Sequence, residues 1–375
     1  MKKIFILTAE PSGDKLASRV VSQLKITSPN IEYLSVGGEH LKSLGIKSLY
    51  DLSEVTYLGF TKVLFNLFKI KKKINYTIRK IIEFNPDILF SVDSPDFTLR
   101  IAKKIKKLNP SIKIVHFVSP KVYVWRENRI KKFKTFLDHI LLLFPFETKY
   151  YEKEKIKCTF TGHPLLENTK ESKVDLNLFV KNDKKIFSIY PGSRLSEINT
   201  LIPILFNFIQ LMNKKYNDLL FIFHSTSQFK DFIQNKIAAH GFENCKTVSD
   251  EKIKSQLLKQ SIFAVAKSGT VSLEICNLKV PSIIIYKMNS INFFIVKLLA
   301  KVKFANIINI AANEEVIPEL LQSKCDSKNI FDTVENLLNN KENLKNQIEK
   351  SQKIINDFKT NRSSEIAASV LINSF

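Results

Sequence analysis

The chain has 375 residues, enough for two domains that each bury a core. A hydrophobic share of 44% beside 25% charged residues is that of a globular chain and excludes a disordered or fibrous one. A formal net charge of +22 invites nucleic acid, an anionic membrane surface or anionic substrates, but lysine is abundant throughout, so charge alone selects none of them.

Cys158, Cys245, Cys276 and Cys325 are scattered and form no CxxC, which points to neither a zinc site nor a disulfide framework and fits a reducing cytoplasm. The start, MKKIFILTA, imitates a signal peptide, but its apolar run is short and is followed at once by Glu10 and Asp14. It reads as a first strand. Lys or Arg is expected to interrupt every apolar run before the roughly 18 residues a spanning helix requires, so no integral membrane segment is expected.

Residues 4–9 are a short apolar strand, 10–14 (EPSGD) a turn, and 15–24 a helix, the opening unit of a doubly wound domain. GxGxxG is absent, which disfavours a nicotinamide cofactor. Ser12 or Asp14 can cap the helix. Residues 58–74 place Phe60, Val63, Leu64, Leu67 and Phe68 on one helical stripe with lysines around and beyond it. Such a helix either lies in a membrane interface or turns its stripe to the core.

Residues 88–92 are a strand that ends at Asp93. Ligands of open α/β sheets bind outside the carboxyl ends of strands, so a carboxylate there is placed to take a proton from a hydroxyl. Asp96 is the competing carboxylate. After the strand 112–118 come Trp125, Arg126 and Arg129, an aromatic and guanidinium set that suits an anionic sugar or phosphate, or packs between layers. The strand 139–143 follows, then a strand end at Phe160 and His163 beside it. His163 either touches ligand or holds the hinge. The polar stretch 167–183 reads as the interdomain linker.

The second domain opens at 186–198, IFSIYPGSRLSEI, a strand, a tight turn and a helix. Gly192 lets a ligand approach the backbone, Ser193 can cap the helix, and Arg194 offers a fork of donors to phosphate oxygens. Strands at 219–224 and 262–266 follow. The latter runs into Ser268, Gly269 and Thr270 and a second helix start, with Glu274 one turn on, placed to bridge ribose hydroxyls. Two such helix starts, an arginine and an acid describe a nucleoside diphosphate site. A strand at 280–286 comes next, and residues 293–304, opening on Phe293 and Phe294, form a second basic apolar helix before the loop of Asn306 and Asn309. Lysine-rich helices close the chain.

In order along the chain, TAEPSGD, SVDSPDF, HFVSPKVYVWRENR, LLFPFE, FTGHP, YPGSR, KSGTVSLE and FANIINIAANEEVIPELL resemble the lipid-A-disaccharide synthase family. The resemblance implies an α/β, GT-B fold of two doubly wound Rossmann-like domains facing a central cleft: 1–168 on the acceptor side, 184–345 for the UDP-sugar, and 346–375 packing back on the first domain or a partner subunit. It implies an inverting transfer of 2,3-diacylglucosamine from its UDP carrier to the 6-hydroxyl of 2,3-diacylglucosamine 1-phosphate (lipid X), releasing UDP.

By the same resemblance Asp93 is the general base. Gly192, Ser193, Arg194, Ser268, Gly269, Thr270, Glu274 and Asn309 serve the donor, and Ser12, Gly13, Asp14, Trp125, Arg126, Arg129 and His163 the acceptor side. The two apolar helices serve membrane or acyl chains. No metal and no cofactor are implied. The expected partners are the two lipid substrates and the anionic inner leaflet, with a homodimer compatible and nucleic acid not expected, for a cytoplasmic enzyme bound peripherally to the inner membrane. Ala9, Tyr123 and Glu167 depart from the residues common in the family. A UDP-sugar 2-epimerase of the same fold, or a non-catalytic sugar-nucleotide binder at a membrane surface, is the alternative.

Overall fold

The computed structural model describes residues 1–55, 67–120, 122, 130–167, 176, 180, 184–289, 293, 302–360 and 362–375. The chain forms two compact units, Met1–Glu167 with Phe358–Phe375, and Asn168–Asp357.

The first unit is built on β1 (Lys2–Leu7), β2 (Ile31–Val36), β3 (Ile88–Val92), β4 (Lys113–Phe117), β5 (His139–Leu142) and β6 (Cys158–Phe160). They lie in the order β2-β1-β3-β4-β5-β6, all parallel. Helices cover both faces of such a sheet, so its inner strands are buried on both sides and read as unbroken apolar runs. Ile4, Phe5, Ile6 and Leu7 of β1 and all five residues of β3 are buried accordingly. The helix Leu67–Phe84 sends Ile74, Ile78 and Ile81 into this core at helical spacing and leaves Lys69, Lys71 and Lys72 in solvent. Residues 56–66, and the side chains of Leu67 and Phe68, lie outside the described residues. So the apolar stripe of Phe60, Val63, Leu64, Leu67 and Phe68 is not described.

The first helix starts a turn earlier than the sequence suggests. It spans Pro11–Thr27, with Glu10 as N-cap and no side-chain cap bond. Proline is pre-organised for the first helical position, and its missing N–H is one the helix would not use. Neither Ser12 nor Asp14 caps it.

The last helix, Ser363–Ile372, packs on Pro11–Thr27. Its approach is tied to the end of β6. Thr360 Oγ1 donates to the Thr161 carbonyl at 2.5 Å, Ser363 Oγ to that of Gly162 at 2.8 Å, and Glu167 accepts from Ser364 N and Oγ at 2.6 and 2.9 Å.

The second unit contains β7 (Lys185–Tyr190), β8 (Leu219–His224), β9 (Cys245–Val248), β10 (Ser261–Lys267), β11 (Ser282–Tyr286) and β12 (Glu319–Leu321) in the order β12-β11-β10-β7-β8-β9, again parallel. Its helix Leu195–Lys215 is, among the described residues, the one long and apolar enough to cross a membrane. The expectation that Lys or Arg breaks every such run fails here, because Glu197 is the sole charge from Leu195 to Met212. It is a core helix. Ile198, Leu201, Ile202, Leu205, Phe206, Phe208, Ile209 and Met212 join the cluster of Phe187, Phe221 and Phe263 beneath it, while Asn199, Asn207 and Gln210 face out.

Candidate active site

Each sheet reverses direction once. In the first unit β1 leads outward to β2 and β3 begins the other wing, so the switch point lies between β1 and β3. In the second it lies between β7 and β10. Open α/β sheets bind ligands at such points, outside the carboxyl ends of the strands.

At the first, Asp93 follows β3 and Gly13 lies in the helix that follows β1. A Cβ on Gly13 would stand 3.2 Å from the Val92 carbonyl and 3.5 Å from Asp93 Cβ. Asp93 and Ser94 both hold left-handed backbone, at φ 54° and 44°. This costs non-glycine residues energy and recurs where a turn must aim a side chain. Asp93 Oδ1 accepts from Ser94 N at 2.7 Å, its N–H donates to the Phe117 carbonyl at 2.9 Å, and its own carbonyl accepts from Thr98 Oγ1 at 2.7 Å. The carboxylate is half-buried at the strand end. Asp96 is exposed in the first helical turn.

Two acceptor-side expectations change. Asp14 is buried; Oδ1 accepts from Gly38 N at 2.7 Å and Oδ2 from His40 N at 2.9 Å, so it holds the turn after β2 instead of lining the crevice. His163 is buried and accepts from Leu165 N at 3.2 Å through Nδ1, and burial drives its pKa down to about 3. It belongs to the junction with the returning chain, where its own N–H donates to the Phe358 carbonyl at 3.3 Å. Ser12 is exposed on the first helical turn. Trp125, Arg126 and Arg129 lie outside the described residues, as does Tyr123.

At the second switch point Gly192 has φ 110°, and a Cβ there would meet Glu197 Oε2 at 2.6 Å. The turn therefore needs glycine for its own geometry, besides any ligand. Ser193 does not cap the helix. Arg194 is the N-cap, without a side-chain cap bond, and the Ser193 N–H donates to Glu197 Oε2 at 3.2 Å. Arg194 is exposed, its Nη1 3.7 Å from Glu197 Oε1, and Lys267 at the end of β10 reaches the same oxygen at 2.9 Å. Glu197 and Lys267 are the residues sequence reasoning passed over; the pair is visible only once β7 and β10 are neighbours.

The turn after β10 is open. A Cβ on Gly269 would meet nothing nearer than the Lys267 carbonyl at 3.8 Å, and Gly269 and Thr270 are exposed. Ser268 Oγ donates to the Ala305 carbonyl at 2.9 Å, which brings the 305–309 loop beside this turn. Asn309 itself points inward. Its Nδ2 donates to the Ile317 carbonyl at 2.7 Å and to Glu319 Oε1 at 2.8 Å, and its Oδ1 accepts from Val316 N and Ile317 N at 3.0 and 2.9 Å. With its amide saturated and buried, Asn309 shapes the loop in place of offering a ligand contact. Glu319 completes that anchor by accepting from Ala305 N and Asn306 N at 2.7 and 2.8 Å. Phe293 lines a hollow of about 320 Å³ with Lys287, Met288, Gln322 and Ser323; Phe294 lies outside the described residues.

Glu274 lies close enough to Tyr190, at the end of β7, that its charge adds to burial in raising the Tyr190 pKa well above the usual value. Tyr190 stacks on His224 at the end of β8, centroids 4.2 Å apart and planes 12° apart. Ser261 donates to the Leu257 carbonyl at 2.8 Å, so Ser188, 2.7 Å away, donates to Ser261, and His224 Nε2–H, 2.8 Å from Ser188, donates to Ser188. That chain of hydroxyls leaves His224 Nδ1 as a bare, buried acceptor without a partner. Burial holds this histidine neutral, its pKa down to about 3.

Two parallel six-stranded sheets with crossover helices, each with its polar groups gathered at a switch point, define a two-domain α/β enzyme of the GT-B kind. Solved structures share this fold. They include a UDP-GlcNAc 2-epimerase of Neisseria meningitidis bound to UDP-GlcNAc (TM-score 0.68, 15% identity, all of both chains) and a glycotransferase of kitacinnamycin (TM-score 0.67, 11% identity, 100% of this chain and 99% of that one). At such identities the likeness is one of fold alone.

Sequence separates the families. The model of lipid-A-disaccharide synthetase matches residues 4–372. The lipid-A-disaccharide synthase of Rickettsia prowazekii is 34% identical over the full length of both chains, and that of Rickettsia bellii 36% identical over 96% of each. The chain belongs to the lipid-A-disaccharide synthase family, and so to the glycosyltransferases.

Proposed function

We propose that this chain transfers 2,3-diacylglucosamine from UDP-2,3-diacylglucosamine to the 6-hydroxyl of 2,3-diacylglucosamine 1-phosphate, with inversion, releasing UDP. The observation that carries this is the placement of a carboxylate, Asp93, at the first switch point and of Arg194 with the Ser268–Thr270 turn at the second. Asp93 takes the proton of the attacking hydroxyl; general-base catalysis of this kind is worth roughly 10²- to 10⁴-fold. Arg194 and the backbone N–H groups of the β7 turn stabilise the negative charge that grows on the departing diphosphate. Gly269 and Thr270 leave room for the nucleotide, and Glu274 serves its ribose.

The acceptor and donor are lipids, so the enzyme works at the inner leaflet. Lys69, Lys71 and Lys72, exposed along one helix, support attraction to anionic headgroups, each lysine near such a surface contributing about 1 kcal/mol. Co-sedimentation with anionic vesicles that is lost in neutral ones checks this.

The deciding experiment is turnover of the purified chain with both lipid substrates, following UDP and disaccharide together, with Asp93→Ala alongside. Disaccharide formation that the variant loses while folding normally is the expected result. Binding of the UDP-sugar with neither product would overturn the reading and favour an epimerase or a silent binder.

A further inference from the structure

We propose that Lys267 is a second cation for the nucleotide diphosphate and that Glu197 competes with a phosphate for it. The inference rests on the UDP-sugar reading and adds to it a residue pair to which the resemblance gives no role.

The Glu197 carboxylate collects donors from both sides of the β7/β10 switch point. Lys267 Nζ lies 2.9 Å from Oε1, the Ser193 N–H donates to Oε2 at 3.2 Å, and Arg194 Nη1 is 3.7 Å from Oε1. An ammonium, a guanidinium and a backbone N–H at the entrance of a 21-residue helix are the groups that bind phosphate oxygens. Here one carboxylate holds all three. The Glu197 and Lys267 side chains are 12% and 18% exposed, so their attraction is little screened, whereas that of Arg194, 47% exposed, is screened more. Lys267 Nζ also stands 5.2 Å from the centre of the Tyr286 ring, which limits where its charge can go.

A lysine this enclosed needs a counter-charge, and Glu197 supplies it. When a diphosphate arrives it meets two cations and a competing anion a few ångströms away. Repulsion from Glu197 weakens binding, and the same repulsion helps UDP leave once the bond to the sugar is broken. Lys267 then moves its charge from carboxylate to phosphate with little travel.

Titration calorimetry of the full chain with UDP and with uridine tests this. Wild type is expected to bind UDP. Lys267→Met is expected to lose roughly 10- to 100-fold in UDP affinity with uridine unchanged, and Lys267→Arg to stay within a few-fold of wild type. Glu197→Gln keeps an acceptor for Ser193 while removing the charge. It is expected to bind UDP roughly 3- to 10-fold tighter, again with uridine unchanged. Melting curves verify that each variant folds. Lys267→Met binding UDP as wild type does, or Glu197→Gln binding it more weakly, overturns the inference and leaves Glu197 a helix-start anchor. A wild-type chain that binds no UDP overturns the nucleotide reading as well, and that failure is separate from a failure in the variants alone.

Discussion

Gly13 and Asp93 meet at the ends of two adjacent strands, with 3.5 Å between the place a Cβ would take on Gly13 and the Cβ of Asp93. The carboxylate proposed as base thus sits against the one residue of the first helical turn, Gly13, that has no side chain.

Gly13→Val should therefore fill the approach to Asp93 and press on the Val92 carbonyl, 3.2 Å from the new Cβ. Turnover is expected to fall on the order of 10²-fold, while UDP affinity changes less than about two-fold. Steady-state kinetics and titration calorimetry on one preparation check both.

Asn309→Ala removes an amide whose four hydrogen bonds tie the 306–309 segment to residues 316–319. Buried groups left without partners cost about 1–3 kcal/mol each, partly relieved by water, so a loss of about 2–4 kcal/mol is expected in denaturant unfolding. A stability change of that size, with UDP affinity altered only through the loop, separates anchoring from direct contact.

Gly162→Ala should loosen the C-terminal segment. Gly162 has φ 77°, and a Cβ there would lie 2.7 Å from Thr360 Oγ1 and 3.0 Å from the Phe358 carbonyl. Strain in the left-handed region and this collision together predict a loss of about 1–3 kcal/mol. Faster proteolysis of the last helix, partly reversed by adding Thr360→Gly, is the readout.

Acid should destabilise the fold well before its carboxylates are neutralised. His116, His163 and His224 are buried, and burial lowers each pKa to about 3 from an ordinary value near 6.5. Between those values the unfolded chain binds protons that the folded chain refuses, so stability is full above about pH 7 and falls as pH drops through 6 and 5. The slope is at most about 1.4 kcal/mol per pH unit for each histidine. Urea unfolding from pH 8 to pH 5 measures it, and His116→Asn, which removes one titrating group, should flatten the dependence.

The inner strands were legible in the sequence because parallel strands buried on both faces are unbroken apolar runs; 88–92 and 219–224 are found as expected. The edge strands were not. β2, β9 and β12 went unread and β6 appeared only as a strand end, and these four are the edges of the two sheets. An edge strand is short or half-covered, so its pattern fades: β6 has no fully buried residue and β12 has one.

The sequence by itself determined the fold class, the family and the positions of Asp93 and the two turns at 191–194 and 268–270, since each lies next to a strand in the chain. Only the tertiary structure decided which polar side chains near them turn inward. Asp14, His163 and Asn309 carry polar side chains beside the site in sequence, yet each is turned inward to satisfy backbone N–H groups, and Asn309 a buried carbonyl as well. Lys267 and Glu197, 70 residues apart in number, become a pair because the crossover places β10 against β7. Hydrogen-bond saturation and strand order are properties of the folded chain, and they separate the groups that build the site from those free to act in it.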